Sequence, residues 1–276
     1  MTPCVATIHD LSCFGRCSLT VAMPVLSAMG IQCCPIPTAL LSTHTGGFEG
    51  YSFLDTTVEM EKIAAHWQTL NLHFQGVYSG FLGSEAQMSV VADFIRDFRK
   101  DDTIVVVDPV MGDNGQAYKT YTPAMCTGMW RLAAVADVIT PNLTEAAILL
   151  GEPYERLKTD EAGSREIVER LSLNGQRSVV LTGYSETPET VGAMCFDCKS
   201  GKSKAVQVER VPQNFHGTGD LFASVLTGAL MQGKDLVPSA KQAAEFVRVC
   251  VERTAAEEIP KRNGVDFEPL LKLLMK

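Results

Sequence analysis

Short, almost continuously apolar and β-branched runs recur along the chain at Val5 to Ile8, Gly76 to Ser79, Thr103 to Asp108, Ala136 to Thr140 and Ser178 to Thr182. A strand wetted on one face alternates apolar and polar residues, so runs without alternation predict strands buried on both faces. Between them, apolar positions recur at helical spacing over Leu19 to Met29, Thr56 to Leu70, Ser84 to Lys100, Pro123 to Ala134 and Asp160 to Asn174. This is a βα winding repeated along the chain. After Thr182 the pattern changes. Thr190 to Phe196 and Lys204 to Val208 flank Lys199-Ser-Gly-Lys202, which predicts an antiparallel hairpin at one edge of the sheet. Helices return over Leu221 to Gln232 and Pro238 to Glu257. No repeat, low-complexity tract or linker interrupts the pattern. The expectation is one α/β domain over residues 1–276: three αβα layers, a mostly parallel central sheet with helices on both faces, and an antiparallel edge. Ligands of such sheets bind at the carboxyl ends of the strands.

Composition narrows the partners. With 24 Lys and Arg against 32 Asp and Glu, the net charge of −8 opposes attraction to nucleic acid or to an anionic membrane. No apolar run approaches the ~18 residues of a membrane span, and charge comes early in the chain, so a cytoplasmic location is expected. Nine cysteines, an odd number in a chain of this size, predict reduced thiols. Cys195-Phe-Asp-Cys198 has no second Cys or His pair at a suitable distance and predicts no zinc site.

Three stretches carry candidate chemistry. In Asn214-Phe-His-Gly-Thr-Gly-Asp220, two glycines precede an apolar-periodic helix. Close backbone approach and the unpaired amides of a first helical turn make an anion cradle there from Gly217, Thr218 and Gly219. The third glycine of the dinucleotide fingerprint is replaced by Phe222, and no Walker-type Gly-Lys-Ser/Thr occurs. Asp220 stands at the helix start, where a carboxylate can accept a hydroxyl proton. In Val107-Asp-Pro-Val-Met-Gly-Asp113, Asp108 ends an apolar strand, and Asp113 opens a polar loop to Tyr121 long enough to move over a site. In Thr140-Pro-Asn-Leu-Thr-Glu145, Asn142 and Glu145 lie three apart at a helix entry. That spacing serves a capping box or, with Asp108, a hydrated Mg²⁺ next to a phosphate, and both readings stand. Three strand-end stretches around one phosphate cradle point to phosphoryl transfer.

Taken in order, Asp-Pro-Val-Met-Gly-Asp, Thr-Pro-Asn-x-x-Glu-Ala and Gly-Thr-Gly-Asp resemble the ribokinase superfamily, and within it the pyridoxal kinase family. Ser12, Ser42-Thr-His-Thr-Gly-Gly-Phe48 and Ser79-Gly-Phe-Leu-Gly83 extend the likeness, which runs from roughly residue 4 to 256. The resemblance implies a ribokinase-like fold and ATP-dependent phosphorylation of the 5′-hydroxymethyl group of pyridoxal, pyridoxine or pyridoxamine in vitamin B6 salvage. It also implies Mg²⁺, a possible monovalent cation such as K⁺, and a homodimer. Carried over by position, Asp220 matches the base, and Gly217, Thr218 and Gly219 match the anion hole. Asp108, Thr140 and Glu145 match positions around the metal and the monovalent cation. Asp113 opens the flap over ATP, and Asn142, Thr182 and Val211, with Gly217 and Thr218, match nucleotide contacts. Ser12, His44 and Thr45 match the vitamin pocket, and Phe81 stands where the family often has Tyr. Hydroxymethylpyrimidine kinases are similar in architecture but typically carry Cys at the position of Asp220. A vitamin- or nucleotide-binding protein without turnover is the alternative from another class.

Overall fold

The computed structural model describes residues 2–275. The elements run β1 (Cys4–Ser12), α1 (Leu19–Ala28), β2 (Gln32–Leu41), β3 (Phe53–Asp55), α2 (Thr57–Thr69), β4 (Gly76–Ser79), α3 (Glu85–Phe98) and β5 (Ile104–Val107). They continue through β6 (Gly112–Asp113), β7 (Gln116–Ala117), α4 (Pro123–Ala134), β8 (Val138–Ile139), α5 (Leu143–Leu150) and α6 (Glu161–Leu171). The chain closes with β9 (Ser178–Tyr184), β10 (Thr190–Asp197), β11 (Lys202–Glu209), α7 (Thr218–Met231) and α8 (Leu236–Ala256). Nine strands form one sheet in the order β11-β10-β9-β8-β5-β4-β1-β2-β3. It is parallel from β9 to β2.

The continuous apolar runs are buried on both faces, as their composition requires. Ile8, Val77, Val105, Val107 and Leu181 pack under α2 to α6, while Val5, Tyr78, Val106 and Val180 pack under α1, α7 and α8. The hairpin β10–β11 forms the expected antiparallel edge. A second antiparallel edge, β2–β3, was not expected. Pro35 and Pro37 make residues 32–41 read as a non-strand, because proline cannot donate to a ladder. Gln32 donates its amide to the Pro3 carbonyl at 2.9 Å. Alternation from there turns the nitrogens of Pro35 and Pro37 away from β1, toward a side where β3 pairs only residues 39–41. The polar loop expected after Asp113 is also ordered, as the two-stranded hairpin β6–β7 turning through Asn114 (φ 52) and Gly115 (φ 78). Asn-Gly is the residue pair that such a tight hairpin turn favours.

Beyond α8 the chain returns to the sheet's other end. Arg16, between β1 and α1, donates to Asp266 at 2.7 Å and Glu268 at 2.8 Å, and Arg253 reaches the other oxygen of Asp266 at 2.9 Å. Among the described residues no helix is long and apolar enough to cross a membrane.

Candidate active site

The parallel strands deliver their last residues to one rim. Asp108 follows β5, Thr140 follows β8, and the Thr140 hydroxyl donates to Asp108 Oδ1 at 2.9 Å. Burial pushes Asp108 up to about 6, opposed by the Thr140 hydrogen bond. Glu145, on the first turn of α5, is buried and accepts from two amides, Met111 at 3.2 Å and Asn142 at 2.8 Å. Burial and then the charge of Asp108 hold its carboxyl well above the usual carboxylate range. Asn142 Oδ1 accepts the Glu145 amide at 2.9 Å, completing a capping box.

At the start of α7 the arrangement is opposite. The N-cap is Gly217, left-handed at φ 79, and no side chain caps the helix. A Cβ at Gly217 would lie 2.0 Å from the Arg16 carbonyl oxygen, so only glycine fits. The space around Gly219 is open, and the first-turn amides are left for an anion. Asp220 sits on this turn. It is half-buried, and enough protein surrounds it that burial, then Asp108 and Asp10, push it up to about 7.

Asp10 was not anticipated from the sequence. Strict alternation along β1 would send it after Ile8 toward α2 to α6, but the β1–β2 register shifts between His9 and Leu11. Such irregularities re-aim side chains. Asp10 instead accepts the Ser12 hydroxyl at 2.8 Å and faces the hydroxyl of Ser18 at the start of α1, with burial raising its pKa against both. The Ser18 amide faces Asp220. Ser18 has φ 50 and ψ −128, a conformation that costs a non-glycine residue of order 1–3 kcal/mol.

His44 is buried, with Nε2 2.7 Å from the Arg262 carbonyl and Nδ1 accepting the Gly46 amide at 3.1 Å. The proton therefore sits on Nε2. Burial lowers its pKa, and the His216 ring stands 5.3 Å away. Thr45 is exposed on the same loop. Phe81 is half-buried and packs against the core under α2 to α6.

A cleft of about 360 Å³ opens between the hairpin β6–β7 and β9, lined by Asp113, Asn142, Thr144, Tyr154, Thr182 and Ser185 among others. The hairpin is fastened to α5: Asn142 Nδ2 donates to the Gly112 carbonyl at 2.8 Å, and the Gly115 amide to Thr144 Oγ1 at 2.9 Å. Of the expected nucleotide contacts, Asp113, Asn142 and Thr182 meet here. Val211 packs against the opposite core, and Gly217 and Thr218 lie outside the lining. Tyr118, just after the hairpin, has its phenol pushed up by burial and then by the nearby Glu145, Asp113, Asp220 and Asp108. Among the described residues, no three His, Cys, Asp or Glu side chains gather to hold a metal alone.

A family model described as phosphomethylpyrimidine kinase matches residues 22–264. A Bacteroides thetaiotaomicron protein, provisionally named a phosphomethylpyrimidine kinase and crystallised with pyridoxal, superposes with a TM-score of 0.94 at 41% identity. That superposition covers 99% of this chain and 96% of the other. The pyridoxal kinase of Lactobacillus plantarum superposes at 0.91 and 32% identity, covering 99% and 97%. A Caenorhabditis elegans relative, provisionally named a pyridoxal kinase, is 32% identical over 178 residues. The match takes in 62% of this chain and about half, 53%, of that relative's length. The architecture is thus the ribokinase-like one that the motifs implied.

Proposed function

The chain belongs to the phosphomethylpyrimidine kinase family, and on that premise we propose that it transfers the γ-phosphoryl group of ATP to the 5′-hydroxymethyl group of pyridoxal, pyridoxine or pyridoxamine. The observation that carries this reading is Asp220. It is a carboxylate pushed up to about 7, on the first turn of a helix whose amides no side chain caps. A base of that strength is matched to neutral pH.

In the proposed reaction the substrate hydroxyl gives its proton to Asp220 while its oxygen bonds to the γ-phosphorus. The bridging bond to the β-phosphate breaks, and ADP leaves. Negative charge spread over the moving phosphoryl group faces the first-turn amides of α7. The nucleotide lies in the cleft between β6–β7 and β9, with Asp113, Asn142 and Thr182 along it and Tyr118 near the reacting end. Asp108 and Glu145 are raised carboxylates that, among the described residues, have no cationic side-chain partner. Mg²⁺ uses one or two carboxylates together with phosphates and waters, so this pair fits it. When bound, the ion would neutralise phosphate charge.

Pyridoxal in the Bacteroides relative supports the vitamin B6 reading. The family description supports a second one, phosphorylation of hydroxymethylpyrimidine, against which stands the Asp at position 220 where those kinases typically carry Cys. ADP release with Mg²⁺-ATP and each of pyridoxal, pyridoxine, pyridoxamine and hydroxymethylpyrimidine separates the readings. Turnover of a B6 vitamer that is abolished in Asp220→Ala is the expected result. Preference for hydroxymethylpyrimidine would replace it, and nucleotide binding without turnover of any substrate would overturn both.

A further inference from the structure

At the end of the sheet opposite the rim, two cysteines meet across a pair of parallel strands. Cys4 opens β1, Cys34 lies near the start of β2, and their sulfurs stand 3.2 Å apart. All nine cysteines are free thiols, and among the described residues no other two hydrogen-bond to one another. Both are half-buried on the face that packs under α2 to α6, unlike Cys17, Cys195 and Cys250, which are buried. Cys33 turns to the opposite face, where its thiol donates to Thr7 Oγ1 at 3.2 Å, so the pair has no third sulfur. The contact is asymmetric. When Cys4 is ionised the Cys34 thiol donates to its sulfur, which lowers the pKa of Cys4 against burial and raises that of Cys34. Thiolate is the reactive form, so the pair is divided into a nucleophile and its proton donor.

We propose that Cys4 and Cys34 form a reversible dithiol–disulfide pair, oxidised by exchange with a low-molecular-weight disulfide. The Cys4 thiolate attacks one sulfur of that disulfide, whose own sulfur–sulfur bond breaks and releases one thiol. Cys34 then gives up its proton and attacks the Cys4 sulfur, and the second thiol leaves. The two cysteines lose two protons and two electrons, which the released thiols carry away. The strand register makes reversal easy. Cys4 pairs with Gln32 and Cys34 with Ala6, so the cysteines are diagonal neighbours and not opposite ones. Diagonal positions lie farther apart than a relaxed disulfide prefers, and the bridge must draw the first residue of β1 toward β2. A bridge formed under that load is open to reduction by the same class of thiol. No step of this exchange involves the residues of the rim, so the chemistry of the pair is independent of the kinase reading.

The test incubates the folded chain with oxidised glutathione at neutral pH, blocks the remaining thiols with an alkylating reagent and maps unreduced proteolytic peptides by mass spectrometry. The expected product links the peptide carrying Cys4 to the peptide carrying Cys34 with the loss of two hydrogens. It leaves two fewer of the nine thiols to alkylate, and dithiothreitol restores them. In Cys34→Ser, glutathione should stay attached to Cys4, because nothing displaces it. In Cys4→Ser, Cys34 should take up glutathione about threefold more slowly, or slower still, than Cys4 does in Cys34→Ser. The native map decides alone if either variant fails to fold. A link between Cys4 and Cys34 that forms only after unfolding in guanidinium overturns the proposal. So does native protein in which Cys4 ends as the mixed glutathione disulfide, or in which both cysteines stay reduced, with the exposed Cys13 as the control for reaction.

Discussion

Two helices open onto the same rim of the sheet, and their first turns are built oppositely. The start of α5 is closed: Asn142 and Glu145 satisfy one another's amides, and the Glu145 carboxylate also takes the Met111 amide. The start of α7 is open, with Gly217 where a cap would be and empty space at Gly219. Both obey the rule that the first helical amides need partners. At α5 the partners are the protein's own, and the reward is a buried carboxylate held rigidly. At α7 they are left for a ligand. A helix entry thus serves as scaffold or as receptor according to whether its cap position carries an acceptor.

The largest effect expected on this contrast comes from the open turn. Asp220→Asn should lower kcat by about 10²- to 10⁴-fold, the range for a general base, with nucleotide KM changed little, as read by coupled ADP release. Glu145→Gln keeps a side-chain oxygen for the cap but removes its charge. It should raise the Mg²⁺ concentration for half-maximal rate by roughly tenfold, since few carboxylates hold the ion, and lower the thermal midpoint only modestly, because the new NH2 group faces the Met111 amide in place of an acceptor. If the midpoint collapses and the Mg²⁺ response does not move, α5 is scaffold alone. Gly217→Ala must strain φ and push against the Arg16 carbonyl. It should cost about 1–3 kcal/mol in denaturant unfolding as well as activity, and Gly219→Ala, with room for its methyl, should spare the fold. Asn142→Ala removes the cap together with the Nδ2 bond to the Gly112 carbonyl, so it should cost about 1 kcal/mol of stability and raise the nucleotide KM, as read by denaturant unfolding and coupled ADP release.

Acidity distinguishes the two turns in another way. With Asp220 raised from 3.8 to about 7 by burial first, kcat/KM should climb as pH rises through about 7 and then level, a limb absent from Asp220→Asn. Stability should run in the reverse sense. Between about 4 and 7 the folded protein holds a proton at Asp220 that the unfolded chain has released, so the ligand-free protein should melt at lower temperature as pH increases over that window. Thermal midpoints from pH 5 to 8 on native protein and Asp220→Asn measure the difference.

Much of this was legible in the chain itself, and the failures have physical causes. The buried parallel strands, their helices, the hairpin at residues 190–209 and the glycine turn before Asp220 all follow from periodicity and from residues with special backbones. The strand at 32–41 was hidden because its prolines lie on a side without a partner there, a fact of topology and not of local propensity. The flap hairpin carried a usable signal, Asn114-Gly115, that was read only as a polar loop. Asp10 had none. Its importance arises from a register irregularity and from a serine eight positions away, neither of which leaves a spacing to read. Phe81, expected from the resemblance as a wall of the vitamin pocket, is half-buried against the core under α2 to α6.

The ion pairs of Arg16 with Asp266 and Glu268 join residues 250 and 252 positions apart, and the carbonyl of the same arginine closes over Gly217. The loop that faces Asp220 is therefore set in place by a segment 250 residues further along the chain. Contacts of such long sequence separation form late, after the cost of closing the chain has been met. During synthesis the sheet's early strands and their helices can collapse while the acidic rim remains unassembled. Phosphoryl transfer by a refolding or nascent chain would then report closure of these long-range contacts, not the folding of the early strands alone.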